Sequence, residues 1–472
     1  MKSFKFRTAN KTVLAVFCAL GLQPFAANSQ SLEEAVAYTL DTHPEIRAAF
    51  TQFKVSEKQV EQAEAGYWPT IDATGGYGYE YTDTPSTRNT GNTSTDDDTT
   101  SLARRELGLS LKQNLFSGFH TSSEVDRTSF ATSAEQWRLH SLAENIALET
   151  IKVYVDLIRT EKLVGLSEKN LQSHIDIYEQ IKERTESGFS SKADLSQING
   201  RLAKAHSNLI AAKNNYLDSK TKFYRVIDQT PENLIIPVPD ASMLPKTEDK
   251  GLELALQSHP VIWAANNDIE SAHAQYKSAK STYYPEVNFE VYANYNDNVD
   301  GADGDYGISG DDVGGANNDF VAMVRFKYNI FAGGKDEAYA KESAYKINEA
   351  KALNTNAHRQ VKEGFILSWN AFEQLNMQKK YIKMHVVASK DTQADYQEQF
   401  KVGQRSLLDL LDTENELYQA RRDFLDAEFS EITAQYRILH SMGLLLDSLR
   451  VTRPKTWKGE ESFEGGVYHE KG

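Results

Sequence analysis

Cysteine is all but missing: the 472 residues hold one, Cys18. It lies in an apolar run within the first thirty residues. A chain trimmed there has no disulfide, no thiolate zinc site and no cysteine nucleophile. Long apolar runs are missing too, since no stretch approaches the about 18 residues of a spanning helix. Positive charge is in deficit, with 52 Lys and Arg against 67 Asp and Glu and a formal charge of −15. That argues against nucleic acid as a main partner, because phosphate binding needs a basic surface. Proline is absent from two 70-residue stretches, Gly118–Ser187 and Gly333–Val402, so nothing there breaks a continuous helix. With 40% hydrophobic residues the chain is nonetheless too apolar to be disordered throughout.

The N-terminus has the grammar of an export signal. Lys2, Lys5, Arg7 and Lys11 precede the apolar residues Val13–Leu22, and Ala27 and Ser29 occupy the −3 and −1 positions of a small-residue cleavage site. Residues 1–29 therefore read as a secretory signal peptide. Phe17 precedes Cys18 where a lipoprotein signal needs a small residue, so lipid attachment is not expected. Cleavage leaves 48 basic against 67 acidic side chains.

What remains is a duplication. Leu40–Pro44 (LDTHP) returns as Leu256–Pro260 (LQSHP), and Tyr67-Trp68-Pro69 as Tyr283-Tyr284-Pro285, both 216 residues on. Leu115-Phe116-Ser117-Gly118 returns as Ile330-Phe331-Ala332-Gly333, Gly188 as Gly403 and Asp194 as Asp409, each 215 residues on. The first repeat spans 30–230 and the second 251–447. The linker 231–250 carries Pro231, Pro237, Pro239 and Pro245, and 448–472 reads as a flexible tail.

Each repeat predicts a helix, two strands joined by a polar loop, a very long helix, a turn and a return helix. Strands are expected near 70–82, 104–116, 285–296 and 319–331 from period-two alternation. One face collects Ile71, Ala73, Tyr77, Tyr79 and Tyr81, then Leu107, Leu109, Leu111 and Leu115. In the second repeat it collects Val287, Phe289, Val291 and Tyr295, then Phe320, Ala322, Val324, Phe326, Tyr328 and Ile330. Strands of this length with apolar, aromatic-rich faces suit a membrane barrel. The loops Asp83–Thr100 and Asn296–Asp319 are polar; the aspartates of the second lack the spacing and bidentate Glu of an EF-hand, and it reads as a solvated loop. Helices are expected over 118–187 and 334–402, with return helices over 191–228 and 406–446. In the return helices Leu195, Leu202, Leu209, Tyr216 and Phe223 recur every seven residues, and Leu410, Leu417 and Phe424 do likewise, the heptad of coiled-coil packing. Gly118 and Gly333 mark the strand–helix junctions, Gly188 and Gly403 the hairpin turns.

These features together resemble the TolC family of outer-membrane channel proteins, over essentially the whole mature chain. The most specific piece is Val402–Asp412, VGQRSLLDLLD, continuing as TENELYQAR through Arg421. The resemblance implies an α+β membrane protein: a homotrimer whose four strands per chain form a 12-stranded barrel in outer-membrane lipid, continuous with a long α-helical coiled-coil periplasmic barrel. It implies docking to a periplasmic adaptor and an inner-membrane transporter of ABC type. SLLDLLDTENELYQAR looks most like the type I protein-secretion branch, with drug efflux as the runner-up. The oligomer also follows from strand number, since four strands cannot close and about eight fill a barrel with their own side chains.

The turns lie farthest from the strands and should form the periplasmic mouth. Ser191-x-x-Asp194 and Ser406-x-x-Asp409 have a capping-box pattern. Arg405 and Asp412 replace Ser190 and Gln197 of the first repeat, and Arg405, Asp409 and Asp412 share a helix face. By resemblance these residues with Asp194 hold the entrance closed and make an acidic constriction. An aromatic hydroxyl usually joins them; here that position is Phe400, which cannot donate. Asp412, with no counterpart and no capping duty, is expected to act freely on the pore. Gly333-Gly334-Lys335 lacks the spacing of a phosphate loop, and His43 and His259, one repeat position beside proline, read as structural. No catalytic activity, metal or cofactor is expected. A surface adhesive coiled-coil trimer would explain the helices and strands, but not two strand pairs at matched repeat positions.

Overall fold

The computed structural model describes residues 29–82, 100–298 and 315–459. The signal segment to residue 28 and the acidic runs at 83–99 and 299–314 lie outside them. In chain order the elements are α1 (Leu32–Thr42), α2 (Pro44–Glu64), β1 (Thr70–Thr82), β2 (Thr100–Ser117), α3 (His120–Glu186), α4 (Lys192–Ile227), α5 (Glu248–Ser258) and α6 (Pro260–Ala279). There follow β3 (Glu286–Asn298), β4 (Gly315–Lys327), α7 (Lys335–Lys401), α8 (Leu407–Ser441) and the short α9 (Leu445–Ser448). α3 and α7 are each 67 residues without interruption, about 100 Å of helix at 1.5 Å per residue. The repeated histidines are caps: Nδ1 of His43 accepts from the Glu45 amide, and Nδ1 of His259 from the Val261 amide, each at 3.3 Å. Each sits before a proline at the first helical position, whose missing N–H costs nothing there.

The four strands form one antiparallel sheet in the order β1-β2-β3-β4, so β2 and β3 join the two repeats. β1 and β4 are its edges, and among the described residues each of these 13-residue strands has no neighbour on its outer side. Opposite residues of an antiparallel ladder share a face. Ala73, Leu109, Ala293 and Phe320 make one apolar row, and Ile71, Leu111, Val291 and Ala322 the next. The other face is charged and stitched by ion pairs: Arg104 with Glu80 at 2.7 Å and Arg325 with Glu290 at 2.8 Å. Phe320, Val324 and Phe326 stand mostly exposed on the apolar side.

Four expectations need correction. β4 runs Gly315–Lys327, not 319–331, so Tyr328 and Ile330 lie beyond it; its partner β3 begins only after Pro285, which has no N–H to extend the ladder. A register shift between Asn114 and Phe116 makes Leu115 the extra residue of a bulge, and Phe116, not Leu115, lies opposite Val287. The segment after 448 is packed as far as it is described. Leu449, Val451 and Trp457 are buried, and Gln136 Nε2 donates to the Trp457 carbonyl. α8 also stops at Ser441, because Gly443 takes the left-handed conformation (φ 70°) that ends a helix.

α3 is the centre of the helical body, packed against α1, α2, α4, α6 and α8, while α7 packs on α5, α6 and α8. The main core gathers Leu139, Ile146, Ile151, Tyr154, Ile158, Phe223, Phe365, Tyr436 and Leu446. Large side chains lie bare on two helices: Leu353, Leu367, Met384 and Val387 on α7, Ile210 and Leu217 on α4.

The junction at Gly118 is tight. Its φ is +64°, and a Cβ would lie 2.4 Å from the Ser281 carbonyl oxygen and 2.8 Å from Tyr284 Cβ. Gly118→Ala is expected to cost about 1–2 kcal/mol for the left-handed backbone alone, plus displacement of the 281–284 turn. Gly333→Ala has a similar φ of +66° but open space, so it should carry only the first cost. Thermal melts of the two variants by far-UV circular dichroism separate the contributions, and equal melting points would refute the crowding at Gly118.

Candidate functional site

Both hairpins turn on glycine, Gly188 at φ 78° and Gly403 at φ 77°, where other residues would be strained. The next helix starts in the same way in both. The Ser191 hydroxyl accepts from the Asp194 amide at 3.1 Å, and an Asp194 carboxylate oxygen accepts from the Ser191 amide at 3.0 Å. Ser406 and Asp409 repeat this reciprocal box at 3.2 Å in each direction. The Ser406 hydroxyl and amide hold the Asp409 carboxyl below the usual carboxylate range, with Arg405 adding a smaller pull. Asp194 and Asp409 are thus committed to starting α4 and α8.

The two hairpins are joined below their turns by a small core of Ile177, Ile181, Ile198, Phe400, Leu407, Leu410 and Leu411. Phe400 is buried in it, and the Arg184 guanidinium lies 5.2 Å above its ring. Its place is a packing one.

The charged residues are paired differently from the sequence expectation. Arg405 is not within ion-pair reach of Asp409 or Asp412; its guanidinium lies 4.2 Å from the Tyr396 ring and its Nε donates to Gln399 Oε1 at 2.9 Å. Asp412 is not free: its Oδ1 accepts from Arg201 Nη2 at 2.7 Å, from α8 to α4. Arg201 and Tyr396 are the residues that sequence reasoning missed. A signal existed for each. Arg201 lies one turn beyond Gln197, the repeat counterpart of Asp412, and Tyr396 lies one turn before Phe400, where a hydroxyl was sought. The hairpin tips of a single chain therefore carry an Asp412–Arg201 pair bridging the two hairpins and an Arg405 that folds back from the turn onto α7. Among the described residues no group of three or more His, Cys, Asp or Glu is placed to hold a metal ion.

The comparisons match this architecture. The family model described as outer membrane efflux protein matches residues 36–227 and 251–444, one match per repeat. The chain is 23% identical to the outer membrane efflux protein BepC of Brucella suis, covering 98% of this chain and 97% of BepC. It is 21% identical to the outer membrane protein TolC of Vibrio cholerae, over 92% of this chain and 95% of that one. The solved structure of the outer membrane protein VceC from Vibrio cholerae superposes with a TM-score of 0.72 at 16% identity, over 87% of this chain and 96% of VceC. The family resemblance carried by the duplication and by Val402–Arg421 thus holds along nearly the whole chain. The chain belongs to the outer membrane efflux protein family, and its place is the Gram-negative outer membrane.

Proposed function

We propose that three copies of this chain form a duct, with three four-stranded sheets closing a 12-stranded barrel in the membrane and the helices continuing it as a tunnel through the periplasm. The observation that carries this reading is the sheet: one apolar face, one charged face and two unpaired edges, β1 and β4. Lipid tolerates no open edge. A second support comes from the bare apolar side chains of α7 and α4, a surface that further copies would cover. The duct would meet a periplasmic adaptor and an inner-membrane transporter at the hairpin tips.

The proposed cargo is protein, handed over by an ABC-type transporter in type I secretion, on the likeness of Ser406–Arg421 to that branch. Small-molecule efflux is the second reading, favoured by the description of the family and of BepC. Native mass spectrometry in detergent should give three chains, and planar-bilayer recordings a steady conductance; a stable, non-conducting monomer would sink the duct. Deleting the gene decides the cargo: proteins lost from the culture medium support secretion, whereas hypersensitivity to toxic compounds with an intact set of secreted proteins supports efflux.

The mouth can be tested separately. Asp412→Ala should cost no more than about 0–1 kcal/mol, since an exposed pair is worth little, yet loosen the two hairpins and raise conductance. Arg201→Ala should do the same, and the double variant no more than either. Arg405→Ser, which copies the first repeat, should change conductance less, because Arg405 touches only its own hairpin. Additive effects of Asp412→Ala and Arg201→Ala would show that the pair does not act as a unit.

A further inference from the structure

A cavity of about 560 Å³ lies between α3 and α8, closed at one side by Leu375 of α7. Three cations line it, Lys152, Arg159 and Arg437, and only one is neutralised. The Arg159 guanidinium donates to Asp156 and to Asp426, each at 2.6 Å. The second oxygen of Asp156 is taken by the Ser219 hydroxyl at 2.9 Å, and nearby Glu149 is paired with Arg225 at 2.7 Å. Lys152 and Arg437 make no ion pair among the described residues. Burial, and next the Arg437 charge, hold the Lys152 ammonium below its ordinary value. His440, one turn beyond Arg437, is pushed down to about 4 by burial first, and by His259, Lys152 and Arg437 after it. In a chain of net charge −15 this is a local excess of positive potential. The remaining lining is apolar or hydroxylic, with Phe429, Val153, Ser430 and Thr433.

The cavity's side of the wall follows from helix geometry. The Tyr154 face of α3 is covered: its hydroxyl donates to the Gln30 carbonyl at 2.7 Å and accepts from the Ile235 amide at 3.0 Å, and α1 packs alongside. Lys152 and Asp156 are two residues away on either side, about 200° round the helix, on the face this layer leaves bare. At the cavity's level each chain has four helices, α3, α4, α7 and α8, so three copies supply twelve, and neighbours about 10 Å apart put their axes on a ring roughly 38 Å across. A further helical layer inside that ring, about 10 Å thick, would nearly fill it, so the α1 and linker layer belongs outside and the Lys152 face lines the tunnel. This step rests on the trimeric duct.

We propose that the Lys152–Arg437 cavity, present once per chain, is a transit site on the inner wall of the duct for small amphipathic anions, with the negative head between the two cations and the apolar body against Phe429 and Leu375. Neither cation is sealed in the core, so the site would hold its ligand weakly and release it. An anion without an apolar body lacks half the contacts, and a neutral isostere the other half.

Calorimetric titration of the solubilised full-length protein with 1-naphthalenesulfonate should show one site per chain. Inorganic sulfate and the neutral 2-naphthylmethanol should each bind about tenfold more weakly or worse. Joint replacement Lys152→Gln and Arg437→Gln should weaken sulfonate binding by about tenfold, whereas Lys213→Gln, which removes an exposed cation outside the cavity and leaves the Arg225–Glu149 pair intact, should not. In bilayers the sulfonate should block single-channel current through the parent protein and not through the double variant. Equal binding by parent and double variant, or by sulfonate and the neutral isostere, overturns the site, and binding without block overturns its role in transit. A parent protein that forms no conducting trimer fails as a duct and takes the transit site with it. A conducting trimer that neither binds nor is blocked by the sulfonate sinks the site alone.

Discussion

Arg453→Ala is expected to lower the stability of the helical body by about 3–5 kcal/mol near pH 8, the cost of stranding a buried charge. The charge is Glu144, buried within α3, whose carboxylate accepts from the Leu445 amide at 3.0 Å and the Leu446 amide at 3.3 Å. Arg453 reaches Glu144 at 3.4 Å and Asp447 at 2.8 Å. Burial pushes the Glu144 carboxyl up to about 7, against the pull of Arg453 and the two amides. A carboxyl raised in the folded state holds a proton that the unfolded chain has released. Its contribution is therefore fully present below the unfolded value of about 4.5 and is lost as pH rises through about 7. Removing Arg453 takes away the largest stabiliser of the ionised form, so the carboxyl should rise further. The deficit of Arg453→Ala should be greatest above pH 7 and shrink towards about pH 5, where Glu144 is protonated in both proteins. Circular-dichroism melts across that range read it directly. A deficit independent of pH would mean that Arg453 acts through packing rather than through Glu144.

Leu109→Arg is the second large effect, at about 2–4 kcal/mol for a cation on the lipid face near the bilayer midplane. Leu109 sits midway along β2 in the row Ala73–Leu109–Ala293–Phe320 and is 56% exposed on the apolar face. Ser110→Arg, one residue on, turns the guanidinium to the face that already carries Lys112 and Glu290, and should be tolerated. Trimer yield and denaturant resistance in lipid measure both. Equal damage from the two substitutions would mean that the faces are assigned wrongly or that the sheet is not in the bilayer.

The large features were legible because they are periodic. Alternation at two marks the sheet faces, the heptads mark the return helices, and the 215-residue offset makes each half corroborate the other. Features set by distant pairing were not. The bulge at Leu115 depends on where β2 meets β3, about 170 residues away, and the end of β4 depends on Pro285 of its partner. The mouth failed for the same reason. The four- and three-residue spacing of Arg405, Asp409 and Asp412 suggested a cluster on one helix face, yet Arg405 lies in the turn ahead of the Ser406 cap and Asp412 pairs with Arg201 of the other hairpin, a contact that no local pattern encodes. The tail reads as flexible in the sequence but is packed as far as Trp457, whose size alone was a reason to expect burial.

The unpaired flanks of β1 and β4 bear on how the protein comes into being. On the proposed assembly route a chain would carry two bare strand edges and an apolar face through water before it reached its partners, the arrangement most prone to wrong pairing. In the proposed trimer its hydrogen bonding would be incomplete until two other copies arrive, so folding and association would be one equilibrium with a third-order dependence on chain concentration. A melting temperature measured for this protein would then shift with dilution, and a lesion on either flank would be felt less as an altered channel than as a chain cleared before it assembles.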